Sequence, residues 1–153
     1  MGETAESRIK PQARQACYRE LHRYKYQLMK PYVHDVGASG FEVDTDYLRL
    51  EEDGTLEIKS AYAWDGPSGP TRHTLNFMRG SLVHDAMYQL IRMEVVPLSY
   101  KDHADRLLQK VCREDGMSWF RAWYVYLAVR WFGHLSAKPG TQEPIEIVCA
   151  PGG

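Results

Sequence analysis

Four polar side chains in the middle of the chain have types and spacing that suit proton transfer and cation binding: His84, Asp85 and Tyr88 in GSLVHDAMYQL, and Asp105 in HADRLL. An imidazole with an ordinary pKa of about 6.5 can take a proton from water at neutral pH. A carboxylate on its far nitrogen would fix the tautomer and support the imidazolium that forms, and Asp105 is the candidate for that role. If 76–93 is one helix, His84 and Tyr88 lie one turn apart on one face, while Asp85 points roughly 100° away. A general base and a metal-binding carboxylate could then serve one cavity without competing for one position. His103 lies near Asp105 in sequence but faces elsewhere on its helix and reads as a surface residue. His22, His34, His73 and His134 show no metal-ligand spacing.

Two helices must position these groups. The first is expected to start near Thr74 or Asn76, with Val83, Met87, Leu90 and Ile91 as its inward stripe and Leu82 and Ala86 broadening it. Ser99, three residues before Asp102 and preceded by Pro97, reads as a variant capping box that opens the second. Ala104, Leu107, Leu108 and Val111 form its apolar stripe, and Asp115-Gly116 ends it. A connection of about six residues predicts an antiparallel pair, which would carry Asp105 back past His84. Residues 117–133, MSWFRAWYVYLAVRWFG, predict a third helix with large rings on several faces, suited to the core, a partner subunit or a lipid interface.

Upstream, the pattern changes period. Pro11 to about His22 predicts a helix, with Ala13, Ala16 and Cys17 at helical spacing. Tyr24, Tyr26 and Leu28 alternate with polar residues as a strand does, as do Phe41 with Val43, Leu48 with Leu50 and Leu56 with Ile58. Asp53-Gly54 reads as the turn of a hairpin. The fold class is therefore α+β: N-terminal antiparallel strands and a hairpin, followed by an antiparallel helix pair and a third, aromatic-rich helix. The expected organisation is a basic arm and helix over 1–22, one domain over 23–137, and a tail or docking strand over 138–153.

Between the strands and the helices runs WDGPSGP, residues 64–70. Its glycines permit close backbone approach and its prolines stiffen the loop, so carbonyls can be held pointing inward. Ca²⁺ wants six to eight hard oxygen ligands, and Asp65, Gly66 and Gly69 join Asp85 as the candidate donors. The same loop would serve as a purely structural turn. No Gly-Lys-Ser/Thr follows it, so a phosphate-binding loop is not indicated, and the acids of 42–53 lack the EF-hand pattern.

The 153 residues suffice for one core without a metal or disulfides, and the formal charge of −1 gives no global push towards nucleic acid. The three cysteines are widely spaced and make neither a CxxC pattern nor a disulfide framework. No signal peptide and no apolar run of membrane-spanning length is apparent, which implies cytoplasmic synthesis, with later assembly into a particle compatible.

His84, Asp85 and Tyr88, followed by Asp105, resemble the His-Asp-x-x-Tyr helix and partner-Asp helix of the phospholipase A2 superfamily, closest to the disulfide-free domains of small viral capsids. The resemblance implies calcium-dependent hydrolysis of the sn-2 ester of a phospholipid, with Tyr88 bonded to Asp105. Independently, WDGPSGP, SLVHDAMY, HADRLL and YLAVRWFG, in that order over roughly 40–133, resemble an uncharacterised family of small proteins of bacteria and tailed bacteriophages, a domain of unknown function. That resemblance implies a structural or accessory protein of a phage particle or prophage, a virion protein with phage partners or self-association. Three classes follow: such an accessory protein with a phospholipase A2-like core, a lipid-ester hydrolase, and an ion- or small-molecule-binding module without turnover. The sequence leaves open whether the protein is an enzyme.

Overall fold

The computed structural model describes residues 15–21, 25–64 and 75–136 of the chain. Among these residues seven strands precede three helices: β1 Tyr18–Leu21, β2 Lys25–Leu28, β3 Tyr32–Asp35, β4 Val43–Asp44, β5 Leu48–Leu50, β6 Thr55–Ile58, β7 Ala63–Trp64, then α1 Leu75–Arg92, α2 Lys101–Glu114 and α3 Trp119–Ser136. The class is α+β, as the change of period along the chain predicts. Every strand pairing is antiparallel, in a three-stranded sheet β1-β2-β7 and a four-stranded sheet β3-β6-β5-β4.

The hairpin predicted at Asp53-Gly54 joins β5 to β6. Gly54 takes φ +89°, a left-handed conformation that a Cβ would strain, and its N–H donates to Glu51 O. Leu48, Leu50, Leu56 and Ile58 all face the core, which is what period-two alternation means once one side of a sheet is covered.

The helix expected from Pro11 to His22 is corrected over its described C-terminal part, because Tyr18–Leu21 is a strand; 11–14 and His22 lie outside the described residues. Tertiary packing overrides the helical spacing. Tyr18 sets its ring edge-on to Tyr26 at 5.4 Å and to Trp64 at 5.7 Å, while β1 pairs with β2 from Tyr18↔Leu28 to Leu21↔Lys25. Trp64 then ties this small sheet to α1, its indole N–H donating to Ser81 Oγ at 3.1 Å.

In the helical layer, Val83, Met87, Leu90 and Ile91 are fully buried against the sheets, and Ala104 and Val111 of α2 close over the same core. Gly80 sets how closely α1 and α2 approach. A Cβ there would stand 2.7 Å from Cys112 Sγ and 2.9 Å from Leu108 Cδ1, both on α2. Phe77, Leu108, Cys112, Met117, Ala122 and Val125 build a second core where the three helices meet.

The capping box expected at Ser99 does not form. Leu98–Tyr100 is a 3-10 turn running straight into α2, with no side-chain cap on either. The Lys101 N–H, one of the amides a Ser99 cap would serve, bonds Leu98 O within the turn instead. Asp102 accepts instead from Arg106 at 2.7 Å and from the Tyr126 hydroxyl at 2.6 Å.

Candidate active site

The antiparallel helix pair brings His84 of α1 and Asp105 of α2 together. His84 Nε2 lies 2.8 Å from Asp105 Oδ1, and the Tyr88 hydroxyl donates to the same oxygen from one turn further along α1. Asp105 is wholly buried, with His84 6 % and Tyr88 3 % exposed. The imidazole also packs against the Tyr88 ring at 4.0 Å, which fixes its plane.

Lys101 completes the set, one turn before Asp105 on α2. Its ammonium donates to Asp105 Oδ2 at 2.9 Å and to the α3 carbonyl of Arg130 at 3.1 Å. Asp105 therefore accepts from three side chains on two helices, and the buried charge has an adjacent opposite charge. Both conditions are needed for an ionised carboxylate to persist inside a core. Burial alone would raise the Asp105 pKa; the hydrogen bonds from His84, Tyr88 and Lys101 outweigh it and hold the carboxyl below its ordinary range.

His84 experiences the opposite pair of forces. Burial disfavours its imidazolium, but the hydrogen bond to Asp105 and the proximity of Asp85 outweigh that, so its pKa lies above the ordinary histidine value. Tyr88 is pushed up by burial and by its bond to Asp105, which keeps it a neutral donor. With Asp105 accepting at Nε2, the proton of the neutral ring sits there, and Nδ1 carries the lone pair. Nδ1 is 3.8 Å from Asp85 Oδ1, too far for a direct hydrogen bond, and the Asp85 side chain is 34 % exposed. The lone-pair nitrogen thus looks towards the one partly open carboxylate of the group.

Among the candidate metal donors, Asp85 is placed beside His84, while Asp65, Gly66 and Gly69 lie outside the described residues. No cluster of three or more His, Cys, Asp or Glu side chains suited to a metal occurs among the described residues. Asp85 is a hard oxygen donor with a partly open face, which fits Ca²⁺ chemically but supplies one ligand of the six to eight required.

Spacing gave no warning of a second polar network. Arg79 of α1, 7 % exposed, grips Asp115 at 2.8 to 3.1 Å, reaches Glu114 Oε2 at 3.0 Å and donates to the Tyr32 hydroxyl at 3.2 Å. Tyr32 in turn lies 3.0 Å from His34 Nδ1. Since Arg79 donates to the phenol, the phenol donates to the imidazole, which is held neutral, and burial lowers the His34 pKa. Arg79 and Asp115 of this network line a cleft of about 470 Å³ together with Cys17, Tyr18 and Asn76. A basic residue inside an otherwise apolar helix face is the only sequence signal for it. His103, on the outer side of α2, is 2.5 Å from Val36 O and anchors the loop after β3.

Comparison with protein-family models, with curated proteins and with solved structures returned no match.

Proposed function

We propose that the protein is a phospholipase A2-like ester hydrolase in which His84 activates water. The observation that carries this reading is the division of the imidazole. Its Nε2 is locked to the buried Asp105, and its Nδ1 is presented towards the partly exposed Asp85. Water attacks the ester carbonyl while Nδ1 takes its proton; Asp105 supports the imidazolium, and the same proton then passes to the departing alkoxide oxygen. The products are a free fatty acid and a lysophospholipid, with no covalent intermediate. Tyr88 and Lys101 keep Asp105 charged and oriented. Asp85, with Asp65 and the backbone oxygens of Gly66 and Gly69, would hold a Ca²⁺ ion, which when bound supplies polarisation of the ester carbonyl. The substrate class and the ion come from the family resemblance, and the contact of His84 with the buried Asp105 supports their reading as base and partner.

A second reading is favoured by the completeness of the network itself. Among the described residues no buried side-chain polar atom lacks a hydrogen-bond partner. A satisfied His84–Asp105–Tyr88–Lys101 group would also pin α1 to α2 in a phage or prophage accessory protein that binds partners or an ion without turnover. Fatty-acid release from phospholipid vesicles, by wild type and His84→Ala, with and without EDTA, separates the two. Release that needs both His84 and a chelatable ion supports the hydrolase; no release from folded wild type supports the accessory role.

A further inference from the structure

α3 is apolar on two opposite faces, and the fold accounts for one of them. Ala122, Val125 and Val129 pack into the core where the three helices meet. At 100° per residue, Phe120, Tyr124, Leu127 and Trp131 lie on nearly the opposite side. Their spacings of four, three and four residues are those of the seam along which two helices interlock, here about 17 Å long. Phe120, Tyr124 and Trp131 are 68, 47 and 79 % exposed, and Leu127 is half-buried. Trp119 and Trp123 stack beside the seam with ring centroids 6.3 Å apart, themselves 64 and 41 % exposed. A helix that is apolar all round is one that is covered on both sides.

We infer that the outer face of α3 pairs with the same face of a second copy of the chain, the two helices running antiparallel about a twofold axis. In that arrangement the layers of the seam set Phe120 on Trp131 of the second copy and Tyr124 on its Leu127, each contact occurring twice, as an isologous interface requires. The flanks are complementary in the same register. One edge brings Trp123 against Arg130 of the second copy and the other brings Arg121 against its Ala128, so no two arginines meet and a guanidinium lies over an indole. Arg130 keeps its bond to the Tyr126 hydroxyl at 3.3 Å, because hydrogen bonds leave the edge of a guanidinium while stacking uses its face.

Area agrees with this occupant. The five exposed rings together keep about three whole aromatic side chains in water, roughly 600 Å² per copy. Two copies would remove roughly 1,200 Å² from the rings alone, where stable interfaces begin. The pairing stands without the ester reading, since none of these side chains belongs to the His84 centre.

Sedimentation equilibrium and light scattering of the full chain, followed from below micromolar to tens of micromolar protein, read the pairing directly. A reversible dimer is expected, and Phe120→Ala with Trp131→Ala should raise its dissociation constant by about a hundredfold or more. Both positions are exposed, so the far-UV circular dichroism of that variant should match the parent. Ala128→Glu tests the register: it faces Arg121 of the second copy only when the helices run antiparallel, and two such pairs should tighten the dimer by about three- to tenfold. A monomer at every concentration, a dimer indifferent to the apolar pair, or a dimer that Ala128→Glu leaves unchanged or loosens would overturn the inference. A monomer that instead co-sediments with phospholipid vesicles through the same rings would assign the face to a lipid surface.

Discussion

Lys101 and Asp105, one turn apart on α2, form a buried ion pair at 2.9 Å in which the lysine also holds the backbone of α3. The pair neutralises the one fully buried carboxylate of the site and joins two helices at the point where the chemistry is proposed. Lys101→Met removes the charge while retaining most of the stem. It is expected to cost about 3 kcal/mol of stability, because a buried carboxylate loses its counter-charge. Urea denaturation gives the value, and a loss below roughly 0.5 kcal/mol, the range of an exposed pair, would contradict the pairing.

Asp105→Asn separates orientation from charge. The amide fills the same space and its oxygen can still accept from Nε2 and from Tyr88, but its NH2 faces the Lys101 ammonium, so stability should fall about as far as in Lys101→Met and rates are compared on the folded fraction. The charge that supports the imidazolium is gone, and ester hydrolysis should fall by about a hundredfold or more. Initial rates at equal folded concentration check this.

Gly80 tests the closeness of α1 and α2. Gly80→Ala gains helix propensity but pushes a methyl into Cys112 Sγ and Leu108 Cδ1, and the clash should win by about 1 to 3 kcal/mol. In a Cys112→Ala background the same substitution should be clearly milder, since the nearer of the two atoms has been removed. A double-mutant cycle measured by chemical denaturation reports the coupling; strict additivity would show that the helices do not meet as described.

His34 predicts a pH dependence. Its folded pKa is lowered by burial, with Arg79 opposing protonation further, while the unfolded chain titrates near 6.5. Between the folded value and 6.5 the unfolded state binds more protons, so stability rises with pH. The contribution is complete above about 6.5 and is lost as pH falls towards the folded pKa. His34→Gln retains an acceptor for Tyr32 without a titrating group. Its urea midpoint should fall less than that of wild type between pH 7.5 and 5.5.

The helix pair and the hairpin were legible in the sequence because their signals are local. Val83, Met87, Leu90 and Ile91 mark one helical face, and Asp53-Gly54 lies between two alternating pairs. The meeting of His84 with Asp105 was legible for the same reason, since a short connection between two amphipathic helices leaves them little choice but to pack antiparallel. Tyr18–Leu21 was misread because its strand character comes from Tyr26 and Trp64, and the latter is far along the chain. β3, after Pro31, carried too short an alternation to stand out. Lys101 was missed although it lies one turn from Asp105, because a lysine early in a helix ordinarily reads as solvated. Arg79 was missed because its carboxylates lie 35 and 36 residues away. The capping box does not form where a 3-10 turn takes up the Lys101 amide.

If the His84 imidazole, held by Asp105, activates water against a lipid ester, ester cleavage must depend on that ring. The most direct test is the rate of fatty-acid release from phospholipid vesicles by wild type and by His84→Gln at matched folded concentration. Measurable release by wild type is expected, and release about a hundredfold lower or more in the variant. Equal rates from the two proteins, or none from the folded wild type with Ca²⁺ supplied, would contradict it.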